Sequence, residues 1–213
     1  MKKLFLGACT FCTLLLFSGC GQIQKAMEDA TRTVDYRMFE DKEETKRVFD
    51  EIVERMGDQA KVTDEVKIYI SRRSLEGSIK RAGEPDELNI TIDVQDPSNL
   101  KRIRQTRYWS GSGGWQHPQQ MEVTVTGSSA AKEAFRLEDE LFDFTEKVDF
   151  DIFFQVMNDA YAKYKDTEKY EYQYIQSVNI DEKGYDVTIY GKLAANEQEK
   201  KHYYKANFAG KGK

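Results

Sequence analysis

The sequence predicts an α+β fold of two layers, in which two similar lobes each lay an amphipathic helix on an antiparallel sheet. Three observations predict it. Segments with helical periodicity alternate with segments of period two, in the order helix, strands, helix, strands. The strand segments are apolar on one side only, as an antiparallel sheet with one covered face requires. The two main helical segments also share a pattern: Phe49-Asp50 and Met56 in the first are answered by Phe150-Asp151 and Met157 in the second, and Asp58 by Asp159.

Residues 41–57 read as the first helix. Val48, Phe49, Ile52, Val53 and Met56 recur at helical spacing, and Gly57 offers a stop. Alternation then takes over. Val66, Ile68 and Ile70 alternate with Lys67, Tyr69 and Ser71, and Leu88, Ile90, Ile92 and Val94 with Asn89, Thr91 and Asp93. A turn at Gly83-Glu84-Pro85-Asp86 separates these strands, and Asp96-Pro97-Ser98-Asn99 ends the second. Leu100–Trp109 is a third strand, and Met121, Val123 and Val125 mark a fourth beyond the glycine loop 110–114.

A second helical stretch starts at Ser128 or Ser129 and runs through Ala134, Leu137 and Leu141. Asp149 then caps a helix in which Phe150, Phe153, Phe154, Met157, Tyr161 and Tyr164 form one apolar stripe. Strands over 170–178, 185–191 and 202–208 follow, the first two joined by the hairpin-like Asp181-Glu182-Lys183-Gly184. Ile90-Thr91-Ile92 parallels Val187-Thr188-Ile189, and Trp109-Ser110-Gly111 parallels Phe208-Ala209-Gly210. The pattern suggests an internal duplication, with lobe 1 over about 38–127, lobe 2 over about 128–210 and a tail at 211–213. The lobes can join as one long sheet with helices on one face, leaving the other face exposed.

The amino terminus is of a different kind. Met1-Lys2-Lys3 is a basic start, Leu4 to Phe17 an apolar run, and Ser18-Gly19-Cys20 closes it. The run is shorter than the roughly 20 residues a bilayer span needs, and it suits the core of an export signal. Phe17-Ser18-Gly19-Cys20 resembles the lipobox of bacterial lipoproteins, with Phe17 where Leu usually stands. The resemblance covers these twenty residues alone. It implies that Cys20 carries a diacylglycerol thioether, that residues 1–19 are removed, and that the new amine is acylated. Residues 20–37 become a polar tether, in which Ile23, Ala26, Met27 and Ala30 have helical spacing. At about 0.8 kcal/mol per buried methylene, two or three acyl chains hold such a protein to its membrane. Gly21 instead of Asp after the cysteine favours the outer membrane in a cell that has one.

Loss of residues 1–19 takes Lys2 and Lys3 with it, so 194 residues remain and the formal charge goes from −5 to −7. That length supports a genuine core. The aromatic content of 12% excludes a disordered chain, and the acidic balance lacks the positive footprint of nucleic-acid binders. Cys9 and Cys12 lie in the apolar run, so their redox-like spacing carries no thiol chemistry.

With only His117 and His202, no metal site is expected, and no cofactor motif is present. The loop Ser110-Gly111-Ser112-Gly113-Gly114 lacks the Lys-Ser/Thr of a phosphate cradle, and it is no Gly-x-Ser-x-Gly elbow. Helical spacing turns the acids Glu138, Asp139, Glu140 and Asp143 outward; Lys101, Arg102, Arg104 and Arg107 read as the charges of an edge strand. No catalytic residue is assigned.

What remains is a contact surface: Tyr108, Trp109, Trp115 and His117 around the glycine loop, together with tyrosines of the last strands. The expectation is a membrane-anchored, non-enzymatic binding or scaffold module for a protein or glycan, in which Trp109 and Trp115 both serve the partner and not the fold. The alternatives are a glycan hydrolase built from dispersed carboxylates and a carrier of an apolar ligand between the lobes.

Overall fold

The structure, a computed structural model, describes residues 34–72 and 86–212. The export signal, Cys20, most of the tether and the turn at Gly83–Pro85 lie outside the described residues. Eight strands, β1 Thr63–Ser71, β2 Glu87–Asp96, β3 Asn99–Trp109, β4 Gly114–Trp115, β5 Gln119–Glu122, β6 Tyr170–Asp181, β7 Gly184–Leu193 and β8 Glu199–Ala206, make one sheet. All neighbours are antiparallel, in the order β4-β3-β2-β1-β6-β7-β8, with β5 also on β3. The helices are α1 Lys42–Met56, α2 Ser129–Ala134, α3 Phe144–Lys147 and α4 Phe150–Tyr164. The fold is α+β in two layers.

Local chemistry explains the two long helices. Asp41 accepts from the backbone N–H groups of Glu43 and Glu44 at 2.9 and 3.0 Å, and Asp149 from that of Ile152 at 3.0 Å. Each cap satisfies donors that the first turn leaves orphaned. From α1, Val48, Phe49, Ile52 and Met56 are buried; from α4, Phe153, Val156, Met157 and Ala160. The buried stripe of α4 is therefore centred one position off the predicted one, and Phe150 and Phe154 turn sideways, Phe150 onto Phe49 with ring centroids 5.4 Å apart.

The predicted helix from Ser128 to Leu141 is not continuous. α2 stops at Ala134, Phe135 is extended, and a 3-10 turn covers Leu137–Asp139. The six-residue α2 buries nothing, and so short a helix has little to hold it together. Phe142 instead pairs with Thr63, its N–H donating to the Thr63 carbonyl at 2.9 Å and its own carbonyl accepting from Thr63 at 3.0 Å. The fourth predicted strand is also shorter, since β5 ends at Glu122 and leaves out Val123 and Val125. The last strand ends at Ala206, and the Phe208 ring packs on Phe142 and Tyr185. Residues 34–37, read as the end of the tether, belong to the body: Val34 is 3% exposed and pairs with Asp86, and the Tyr36 ring stands edge-on to Tyr174.

The register carries an approximate two-fold axis. Ile68 pairs with Ile90 in the first lobe and Val178 with Val187 in the second, and Ile68 and Val178 pair with each other where the lobes meet. The row under the helices reads Tyr108, Ile90, Ile68, Val178, Val187, Tyr204. All six are buried. The axis sets Ile90 and Val187 at equivalent places, but it carries Trp109 to Lys205 and not to Phe208, so the two sequence parallels do not share one alignment.

The hairpins constrain two glycines differently. Gly184 opens β7 at φ 127°, and a Cβ there would overlap the Ala206 carbonyl oxygen; Gly113 has φ 91° with nothing near its missing side chain. Gly184→Ala is expected to cost about 2–4 kcal/mol, strain and steric overlap together, and Gly113→Ala about 1 kcal/mol from conformation alone. Urea denaturation midpoints measure both, and equal losses would contradict this account of the β7–β8 contact.

Candidate functional site

Alternation sends every second strand residue to the face away from α1 and α4. Among the described residues no helix covers that face. Its chemistry is ordered in rows across the strands. One row runs Trp109, Asn89, Tyr69, Ser177, Thr188, Tyr203, each the cross-strand partner of the next. The row beside it runs Arg107, Thr91, Lys67, Asn179, Asp186, Lys205. In that second row the Lys205 ammonium donates to Asp186 at 2.6 Å. A third row carries Gln105, Asp93 and Glu65.

Trp109 and Tyr203 end the first row and are exposed, at 37% and 61%, while Tyr69 stands half-buried in the middle. The Trp109 indole is oriented by its Nε1–H, which donates to Glu87 at 3.2 Å. Gly111 lets the following turn close on it: a Cβ there would lie 3.0 Å from that nitrogen.

The four residues expected around the glycine loop do not converge. β3 continues into a 3-10 turn at Ser110–Ser112, Gly113 turns the chain back, and β4 returns along β3 so that Trp115 pairs with Tyr108. Those two rings meet edge to face at 5.3 Å on the helix side. Tyr108 is only 1% exposed and has no surface to offer. Trp115 is clamped to α1: its Nε1–H donates to Glu51 at 2.6 Å, and the Arg55 guanidinium sits 4.7 Å over its ring. His117 is exposed on the connector to β5. Trp109 points to the open face, as does Tyr203 of the expected last-strand tyrosines, and the structure adds Tyr69.

The basic set on β3 is likewise not a bare edge, because β4 and β5 pair with that strand; Arg102 reaches Gln120 at 3.2 Å and Glu122 at 3.4 Å on β5. Most tyrosines of the last strands serve packing. Tyr185 and Tyr204 lie in the core, and Tyr170 donates to or accepts from His202 at 2.8 Å. Tyr174 and Tyr190 are on the open side yet buried, beneath Tyr36 and Tyr172, with the Arg72 guanidinium 3.7 Å from the Tyr172 centroid and 4.5 Å from that of Tyr36.

Carboxylates crowd the opposite end of the face. Burial, then the charges of Asp93, Glu65, Glu182 and Glu140, push the Asp64 carboxyl up to about 6. Burial also raises Asp93, although Gln105 donates to it at 3.1 Å. A groove of about 680 Å3 beside the start of α1 is lined by Asp35, Arg37, Met38, Glu40, Asp41, Lys42 and Glu44, a charged wall unsuited to an apolar ligand. Among the described residues, no group of three or more His, Cys, Asp or Glu side chains is placed to hold a metal ion, and no helix is long and apolar enough to cross a membrane.

No protein-family model matches the chain, and no curated protein matches it. Among solved structures, the chain is similar to a crystal structure described as a "putative lipoprotein (CD1622)" from Clostridium difficile 630. The match has a TM-score of 0.32 and 11% identity, and covers 73% of this chain and 91% of the other. A likeness of that strength carries neither fold nor function across.

Two outcomes follow from the placement of these groups. Trp115→Ala is expected to lose about 2–3 kcal/mol, because it empties a ring site between β4 and α1, and Trp109→Ala less than about 1 kcal/mol. Denaturant unfolding of each variant reads the difference, and equal losses would place both rings in the core. For Asp64, the folded state keeps a proton that the unfolded chain gives up between pH 4 and 6, so stability falls as pH rises through that window. Asp64→Asn is expected to melt at a higher temperature than the wild type at pH 7, and at a similar one at pH 4. A constant offset across that range would contradict the carboxylate crowding.

Proposed function

We propose that the chain is an exported binding module of the cell envelope, held to a membrane by lipid on Cys20, that engages its partner through the open face of the sheet. The partner is a protein or a glycan. One observation carries the reading: a sheet wide enough for six strands to share a row presents Trp109, Tyr69 and Tyr203 on the face that its helices leave uncovered. Rigid aromatic side chains give large contact area at small entropic cost, and on a solvated face they do nothing for the core. The export signal and the lipobox-like Phe17-Ser18-Gly19-Cys20 support the anchorage.

The test immobilises the full chain in detergent and challenges it with cell-envelope extract, comparing wild type with Trp109→Ala and Tyr203→Ala. Retention of a defined envelope component should fall about tenfold or more in each variant, the size of a strong contact residue. Cys20→Ser should move the protein from the detergent phase to the aqueous phase. Unchanged retention in both aromatic variants would remove the open face from the reading, and unchanged partitioning would remove the anchor.

A further inference from the structure

We infer that the open face takes an uncharged glycan chain, laid across the strands along the row from Trp109 to Tyr203. The inference rests on the proposed use of that face and names its ligand. In a chain where 32% of residues are charged, all six members of this row are uncharged. Three are aromatic, and three, Asn89, Ser177 and Thr188, carry an amide or a hydroxyl. Strand spacing puts Tyr69 about 10 Å from Trp109 and about 14 Å from Tyr203 at the backbone, some 24 Å end to end. Rings of this kind stack on the C–H faces of sugars, and the short polar side chains between them both donate to and accept from hydroxyls.

Charge argues for a neutral ligand. The next row, about 7 Å along the strands, holds Arg107, Lys67 and Lys205, which would repel a cation. Asp186 in that row already accepts from Lys205 at 2.6 Å. Beyond it stand Asp93 and Glu65, which would repel an anion. Neither sign of charge is welcome across the whole face. A folded protein fits less well, because a stable protein interface wants a dry apolar centre, and the middle of this row is Tyr69 among half-exposed Asn89, Ser177 and Thr188. The Trp109 ring is also set before any ligand arrives, by its bond to Glu87 and the close turn at Gly111.

The experiment uses the full chain in detergent micelles with cellohexaose, mannohexaose, maltohexaose and chitohexaose as neutral probes. Hexagalacturonate is the acidic probe, and the disaccharides of the same series serve as short probes. Calorimetric titration should find at least one neutral hexasaccharide that binds, with affinity lowered about tenfold or more by Trp109→Ala and by Tyr203→Ala. Its affinity should change less than about twofold between low and high salt, since no ion pair is formed. The matching disaccharide, too short to reach two rings, should bind at least tenfold more weakly. Absence of binding by every neutral hexasaccharide, tighter and salt-sensitive binding of hexagalacturonate, or binding indifferent to both variants would each overturn the inference. If these probes fail while the same two substitutions still abolish retention of an envelope protein, the open face remains the site and only its ligand was wrong. If neither response depends on them, the proposed function falls as well.

Discussion

A wide sheet has two faces, and the described chain supplies long amphipathic helix for one. α1 and α4 have 15 residues each, about 22 Å at 1.5 Å per residue. They lie on the same side, joined through Phe49, whose ring meets Phe144, Phe150 and Phe153 at 5.8, 5.4 and 5.6 Å. Each strand must therefore be apolar on that side and soluble on the other. Trp109 and Tyr203 on the soluble side are exposed and so stand available for recognition, whereas Tyr174 and Tyr190 on the same side are packed beneath Tyr36 and Tyr172. The anchorage of the aromatic row, the crowding of carboxylates at one end and the pairing of Lys205 with Asp186 all occur on a surface the helices cannot reach.

The two-fold frame makes this division visible. Under the helices the central row keeps its character across the axis, with Tyr108 answered by Tyr204, Ile90 by Val187 and Ile68 by Val178. On the open side the same operation carries Trp109 to Lys205, Asn89 to Asp186, Tyr69 to Asn179 and Arg107 to Tyr203. An aromatic row is exchanged with a charged one. Burial constrains side-chain volume and polarity closely, so equivalent core positions resemble each other. Solvent imposes no such limit, and the outward positions have been free to differ.

Much of this frame was legible in the residues. Apolar periodicity announced the first helix and the Asp149 cap before an apolar stripe the second, and the alternations around Ile68, Ile90 and Val187 announced strands with one dry side. That Asp41 caps the first helix is seen only in the structure. The segment after Ser128 misled because Leu137, Leu141 and Phe144 have helical spacing, which short separate turns reproduce equally well. The candidate site was harder to read. Tyr108 and Trp109 are consecutive in a strand and so point to opposite faces, which period two does predict. That Trp115 returns beside Tyr108 depends on the turn at Ser110–Gly113, and that Tyr69 joins a row with Trp109 and Tyr203 depends on β1 lying beside β6. Sequence spacing encodes neither, because both depend on which strands pair, and period two fixes only the face of a residue within its own strand.

The seam between the lobes also sets a hazard during folding. β1 and β6 meet through four residue pairs, from Val66 with Ile180 to Tyr69 with Ser177, and Ile68 and Val178 stand 110 positions apart along the chain. Hairpins such as β6–β7 close locally, whereas the seam must first meet the entropic cost of a long loop. Until it closes, both strands offer open edges. A neighbouring copy offers the same strand in the same register, so exchange of lobes between molecules competes with closure, most of all where copies are crowded together on one surface.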